Sequence, residues 1–227
     1  ISLGANTTLT GTQMTTSAGS TIVGAGNSLM VTGNANLGGD VSGLSQLSMG
    51  GTTQLSGNVS TTGNQTYAGA MVLGTHAKLE SSGVNAVITA NGSINSDGAA
   101  RSLTVSATGT GGTVVFNDAL GNQAALESLS VKANAIALSA GTVETSGNQS
   151  YAGAVTIKKN TNLQTTGVDA VIGLSETVNS DASAAYALQI GATGVGVGSG
   201  AGVEGVEGVE GVEGVGATIA SVASERF

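Results

Sequence analysis

The chain has 227 residues, enough for one sizeable core, with 38 glycines, 9 % charged residues, 2 % aromatics and no proline, cysteine or tryptophan. A net charge of −8 excludes the basic footprint that nucleic acid requires and opposes electrostatic docking on anionic lipid. Without cysteine there is neither a disulfide framework nor a thiolate metal site, and no apolar run approaches the length of a membrane span. The core must be filled by Val, Ile, Leu and Ala, and the remainder is rich in Gly, Ser, Thr and Asn, a composition of strands and turns rather than of disorder.

In chain order, the first element belongs to a repeat. Leu3-Gly4-Ala5-Asn6-Thr7-Thr8-Leu9 matches Leu73-Gly74-Thr75-His76-Ala77-Lys78-Leu79. Apolar anchors like Leu9 follow at Leu29 and Leu47, at nearly even spacing. The string TTGNQTYAGAMVLGTHAKLESSGVNAVITANGSINSDGAA, Thr61 to Ala100, returns from Thr145 to Ala184 at one constant offset. Between the two copies, Ser102 to Ser106, Leu126 to Val131 and Ala135 to Ser139 alternate apolar and polar residues with period 2, the strand signal. Gly63-Asn64, Asn91-Gly92, Asp97-Gly98, Gly121-Asn122 and Gly147-Asn148 punctuate them as turns. Gln123 to Ser128 has a helix-compatible pattern but is too short to rank as a helix.

The anchors subdivide the large unit. Leu79, Leu103, Leu129 and Tyr151 follow one another at similar intervals, and the strings around Leu29 and Leu47 match those around Leu103 and Leu129. This predicts three or four coils per unit, each of roughly 20–28 residues, as in a β-solenoid. A string of small β-sandwich domains is the competing all-β architecture. The interval from Leu3 to Leu73 is shorter than that from Leu73 to Ile157, which favours the solenoid, because coils absorb length changes in their loops. The scarcity of aromatic core residues, with two Phe and three Tyr, points the same way. Residues 1–193 are therefore read as an all-β, parallel β-solenoid of roughly 8–10 coils, a rod of roughly 40–50 Å at the stacking rise. Its parts are a partial unit 1–60, a unit 61–144 and a further partial unit 145–193. The start within a repeat suggests a segment of a longer rod. Residues 194–227 form a Gly-Val-Glu low-complexity tail, with Glu204, Glu207, Glu210 and Glu213 at period 3, and are expected to be flexible.

The string Thr62 to Val72, its copy Ser146 to Thr156, and SINSDGAARSLTVSA (Ser93 to Ala107) resemble repeats of filamentous-haemagglutinin-like exoproteins, large bacterial surface proteins of the two-partner secretion type. The resemblance covers most of residues 1–193 and not the tail. It implies a right-handed parallel β-helix, export with an outer-membrane transporter as partner, an extracellular or cell-surface location, and adhesion to a host-cell or matrix protein or glycan. The family's amino-terminal secretion domain is not part of this sequence.

No catalytic, cofactor or metal site is expected. His76 is the only histidine, and its repeat equivalents are Asn6 and Asn160, so the position asks for a polar turn residue. Asn95-Ser96-Asp97 recurs as Asn179-Ser180-Asp181, but the two acids are several coils apart, too far to flank one glycosidic bond. Asp97 and Asp181 instead suit Asx-type turns, and Asn64 and Asn148 suit satisfaction of turn backbone groups. Tyr67 and Tyr151, at one position of the repeat, are read as packing under a tight corner, with surface contact as the alternative. A regular Thr row for ordering water breaks at Lys78-Leu79-Glu80 and Asn162-Leu163-Gln164. The expected role is structural and multivalent, a stiff adhesin stalk and not an enzyme. The alternative is a carbohydrate-active β-helix enzyme or a carbohydrate-binding module.

Overall fold

The computed structural model describes residues 1–193, together with the backbone of the strands Ala201–Glu204 and Ala217–Ala220. The rest of 194–227, on which the expectation of a flexible tail falls, lies outside the described residues. Every named element is a strand, and the strand pairs run parallel, each laid on the one a coil earlier. Ser102 to Ser106 falls inside the strand Ser102–Ala107, and Leu126 to Val131 and Ala135 to Ser139 fall largely on the strand Ser128–Leu138, while Gln123 to Glu127 is not a helix, Leu126 bridging to Thr145.

The strands recur in threes and build a three-sided rod. The first face begins with Thr7–Leu9, Leu29–Val31, Leu47–Met49 and Gln65–Tyr67 and runs on to Val178–Ser180. The second begins with Gln13–Thr15, Asn34–Leu37, Thr53–Leu55, Met71–Leu73 and Ile94–Ser96, and ends at Leu188–Ala192. The third carries Ile22–Val23, Val41–Leu44, Val59–Thr61, Ala77–Ser81 and Ser102–Ala107, and later Ile172–Leu174. Two long strands, Ser128–Leu138 and Gln149–Ile157, bend from the third face onto the first without a break in chain.

Eight successive pairings on the first face, from Thr7 on Leu29 to Val155 on Val178, define eight turns. The shortest steps, Leu29 to Leu47 and Leu47 to Gln65, fall below the coil length expected from the sequence. Three short strands with tight corners already close a coil there. At about 4.8 Å per turn the eight turns span about 40 Å.

Alternation in each strand sends one set of side chains inward, where they stack on identical register positions of the next coil. One interior row of the first face reads Leu29, Leu47, Gln65, Ile88, Val114, Ile136, Val155 and Val178, all buried. Leu79, Val105 and Val131 form a similar row on the third face. Three of the sequence anchors shift by one inward position: Leu9 stacks on Val31, with Thr7 on Leu29; Leu79 stacks on Val105, with Ala77 on Leu103; and Tyr151 stacks on Val131, with Gln149 on Leu129. The inward set is preserved by a two-residue shift, so periodicity alone leaves it open. The matched strings around Leu29 and Leu103, and around Leu47 and Leu129, stand eleven strand positions apart, the first of each pair on the first face and the second on the third.

Corners bring backbones together too closely for a Cβ. A side chain at Gly69 would strike the backbone of Gly51, and one at Gly92 would strike that of Gly69, so one corner is a column of glycines.

The repeat does not coincide with whole coils. From Leu3 to Leu73 and from Leu73 to Ile157 the chain passes through eleven strand positions in each case, with Leu120, a single-residue bridge, counted as one. Eleven positions on a three-sided rod are three and two-thirds turns. Each copy is therefore rotated by one face: Gln65–Tyr67 lies on the first face, but its copy at Gln149 to Tyr151 lies on the third. The extra chain in the second interval is taken up in turns such as 82–86, 108–112 and 117–127.

Deletion of residues 61–144 removes one eleven-strand unit and places Gln149 and Tyr151 on Leu47 and Met49, where Gln65 and Tyr67 now stand. The shortened chain is expected to unfold in one cooperative transition, with a denaturant m-value reduced in proportion to the chain removed. Chemical denaturation followed by far-UV circular dichroism checks this; a non-cooperative product would show that the unit is not the folding module.

Candidate functional site

Tyr67 and Tyr151 are fully buried, at 0 % exposure, because their alternation phase points them inward. Each phenol donates to the side-chain oxygen of the glutamine two residues earlier on the same interior side, Tyr67 to Gln65 and Tyr151 to Gln149, at 2.9 Å. Gln65 Nε2 donates to the Glu80 carbonyl (2.7 Å) and to Thr61 Oγ1 (3.2 Å). Gln149 Nε2 repeats this with the Gln164 carbonyl (2.7 Å) and Thr145 Oγ1 (3.3 Å). The threonine hydroxyls donate onward to the carbonyls of Gly63 and Gly147, which also accept from Ser81 and Thr165. These are two closed copies of one hydrogen-bonded cluster, buried among aliphatic side chains. Burial pushes both phenols far above the usual tyrosine range, so neither offers a proton or a nucleophile at ordinary pH. They stand on different faces and offer no surface to a partner.

Asn64 and Asn148 cap the rod's corners. Each side-chain oxygen accepts the backbone N–H that opens the strand one coil on, that of Val87 (2.9 Å) and Val171 (2.8 Å). Asn6, Asn34, Asp40, Asn58 and Asn160 do the same for Ser28, Thr52, Asn58, Lys78 and Ala187. A strand entering a corner leaves an amide without a ladder partner, and an Asx oxygen one coil below supplies it. His76 fills this place with an imidazole: Nδ1 accepts the Ser102 N–H at 3.0 Å. Glu127 Oε2 lies 3.2 Å from the same nitrogen and accepts the Ser102 hydroxyl at 2.7 Å. The Ser102 hydroxyl donates to Glu127 and not to the imidazole.

Asp97 and Asp181 each close a turn on their own chain. Asp97 Oδ1 accepts the Ala99 N–H, and its two oxygens pair with Arg101 Nε (2.9 Å) and a terminal guanidinium nitrogen (3.1 Å). Asp181 Oδ1 accepts the N–H and hydroxyl of Ser183, with Lys158 Nζ at 3.8 Å from Oδ2. The Arg101 hydrogen bond holds the Asp97 carboxyl below the usual range, and the Ser183 hydrogen bonds do so for Asp181. Eleven strand positions separate the two, about 18 Å along the axis at the stacking rise. The structure does not bring them together, and among the described residues no group of three His, Cys, Asp or Glu is gathered to hold a metal ion.

The open surface with binding geometry is elsewhere, on the second face. Two outward rows run side by side up its first five coils. One is Gln13, Asn34, Thr52, Ala70 and Ser93; the other is Thr15, Asn36, Gln54, Val72 and Asn95. None is charged. Gln13, Asn34, Asn36, Thr52, Gln54 and Val72 of these rows line a groove of about 420 Å³ whose far end is reached by Asp97. Beyond it the face is walled off: Asn95 Oδ1 accepts the N–H groups of Gln123 and Ala124, which draws the 117–127 turn across it and leaves Asn95 only 7 % exposed. Sequence reading missed this groove. The amides stand on different coils, and only the register places them side by side.

Comparison of the chain with protein-family models, with curated proteins and with solved structures gave no match.

Tyr67→Phe leaves the buried Gln65 oxygen without its donor and is expected to cost about 1–3 kcal/mol, and Tyr151→Phe about the same. For an acid whose folded value is raised, the folded chain keeps a proton that the unfolded chain releases. Stability should therefore hold below the ordinary tyrosine value of about 10 and fall as pH rises above it. Each substitution should flatten that alkaline decline by one proton, as read from urea midpoints against pH. At the corner, His76→Asn should leave stability unchanged, since Asn6 and Asn160 do the same task. His76→Ala should cost about 1 kcal/mol in the same assay.

Proposed function

We propose that the chain is a segment of a secreted or surface-attached bacterial adhesin, acting as a stiff stalk and a multivalent contact surface, and that it is not an enzyme. One observation carries this reading: eight turns are zipped by a ladder that runs the length of the first face, around one largely apolar interior, so the molecule is built to hold distance and direction. Bending such a rod requires parting ladder hydrogen bonds and opening the stacked core, whereas a chain of separate domains would flex at its linkers. The resemblance of Thr62 to Val72 and Ser93 to Ala107 to filamentous-haemagglutinin-like repeats supports export through an outer-membrane transporter and a cell-surface location. So does the folding chemistry. With no cysteine and no proline, the chain needs neither disulfide exchange nor prolyl isomerisation, and each coil can dock on the coil before it as it emerges.

Affinity on such a rod comes from many weak contacts made at once rather than from one deep pocket. The purified chain should therefore bind host cells or matrix-coated surfaces saturably, and should compete with attachment of bacteria displaying the parent protein. A folded chain that neither binds nor competes would reject the contact role and leave a spacer. Turnover of any member of a polysaccharide panel, lost on substitution of Asp97 or Asp181, would reject the non-enzymatic reading.

A further inference from the structure

We propose that the groove on the second face, from Gln13 to the wall at Asp97, binds a neutral polysaccharide chain lying along the rod axis. The carrying observation is a set of unused hydrogen-bonding groups. The side chains of Gln13, Asn36 and Gln54 stand on three consecutive coils, and none makes a hydrogen bond to another described residue. Each amide presents two donors and an acceptor, the mixed set that sugar hydroxyls satisfy. Val72, 37 % exposed on the next coil, and Ala70 beside it give an apolar spot on which the C–H face of a sugar ring can rest.

Charge and spacing select among polymers. The molecule carries a net charge of −8, and the groove floor carries none, so anionic polymers are repelled by the whole and held by nothing locally. The strands Asn34–Leu37, Thr53–Leu55 and Met71–Leu73 beneath the groove are paired on both sides and offer no free edge to an added peptide strand. An extended peptide also repeats its side chains every ~6.7 Å, out of step with coils that rise about 4.8 Å. A sugar unit in an extended glycan is close to one coil rise in length, so successive sugars meet successive amides in the same way. The groove covers about four coil steps, or about 19 Å. The wall formed by Asp97, Arg101 and the 117–127 turn makes the groove one-ended, so it can seat a chain terminus or turn the chain off the rod.

The proposal deepens the rod reading by naming the chemistry of one contact. Its test uses the whole chain, isotope-labelled, titrated with short neutral oligosaccharides (gluco-, manno- and xylo-oligomers), with oligogalacturonate and a heparin fragment as anionic controls. At least one neutral series should perturb amides between Gln13 and Val72. Asn36→Ala and Gln54→Ala should each weaken that binding about fivefold, with unchanged denaturation midpoints. Gln54→Glu should weaken it further, and Thr66→Ala, outward on the first face, should leave it unchanged. Three results overturn the proposal: no neutral oligomer binds, only the anionic controls bind, or binding is indifferent to Asn36 and Gln54. Saturable cell binding that ignores both substitutions would sink this proposal and leave the adhesin reading standing. Glycan binding by a chain that does not adhere to cells would do the reverse.

Discussion

Everything in this molecule follows from stacking at one fixed rise. Each coil must offer the next a set of amides and carbonyls in register and a set of inward side chains that fit on top of their predecessors. The rows Leu29–Leu47–Gln65–Ile88 and Leu79–Val105–Val131 are what this demand looks like in residues. Corners are where it is hardest to meet, because the chain turns away from the ladder and exposes an amide. The Asx oxygens of Asn6, Asn34, Asp40, Asn58, Asn64, Asn148 and Asn160 answer each such amide from one coil below, and His76 does so with a ring nitrogen. These corner asparagines are thus a consequence of geometry and not a mark of a ligand site.

The two buried Thr–Gln–Tyr clusters serve register rather than net stability. A purely aliphatic interior row tolerates a slip by two residues, since the inward set remains inward. A buried glutamine does not. If Gln65 moved relative to Thr61 and the Glu80 carbonyl, its amide and the Tyr67 hydroxyl would stand unpaired in an apolar core, at about 1–3 kcal/mol for each group. One cluster in each copy of the repeat therefore pins the coil that carries it.

The fold class was legible because alternation and a long-range echo survive in the text of the chain, and solenoids are recognised by such echoes. Coil boundaries were less so. Leu9 looks like a partner for Leu29, yet Val31 takes that place, because inward residues two apart are interchangeable to periodicity and only packing chooses between them. Leu29 and Leu103 do correspond in the repeat, but a unit of eleven strands does not divide by three faces, so the two stand on different faces. The turns closed by Asp97 and Asp181 are local, each carboxylate acting on its own neighbourhood, whereas Asn64 and Asn148 reach an amide one coil on, which turn chemistry alone does not locate. The second-face groove was not legible, since Gln13, Asn36 and Gln54 are joined only by the register of three coils.

The rotation of the repeat by one face also separates scaffold from surface. Eleven strand positions after Asn34–Leu37 comes Thr113–Phe116, and eleven after Thr53–Leu55 comes the end of Ser128–Leu138. The inward residues stay buried and three of the four stay apolar: Ala35, Leu37 and Leu55 become Val114, Phe116 and Leu138, while Thr53 becomes Ile136. The outward ones change character. Asn36 becomes Val115, and Gln54 becomes Ala137. A groove needed only for stacking would return with the unit, one face around. This one does not return, which ties its amides to contact with something outside the rod and the repeated residues to the rod itself.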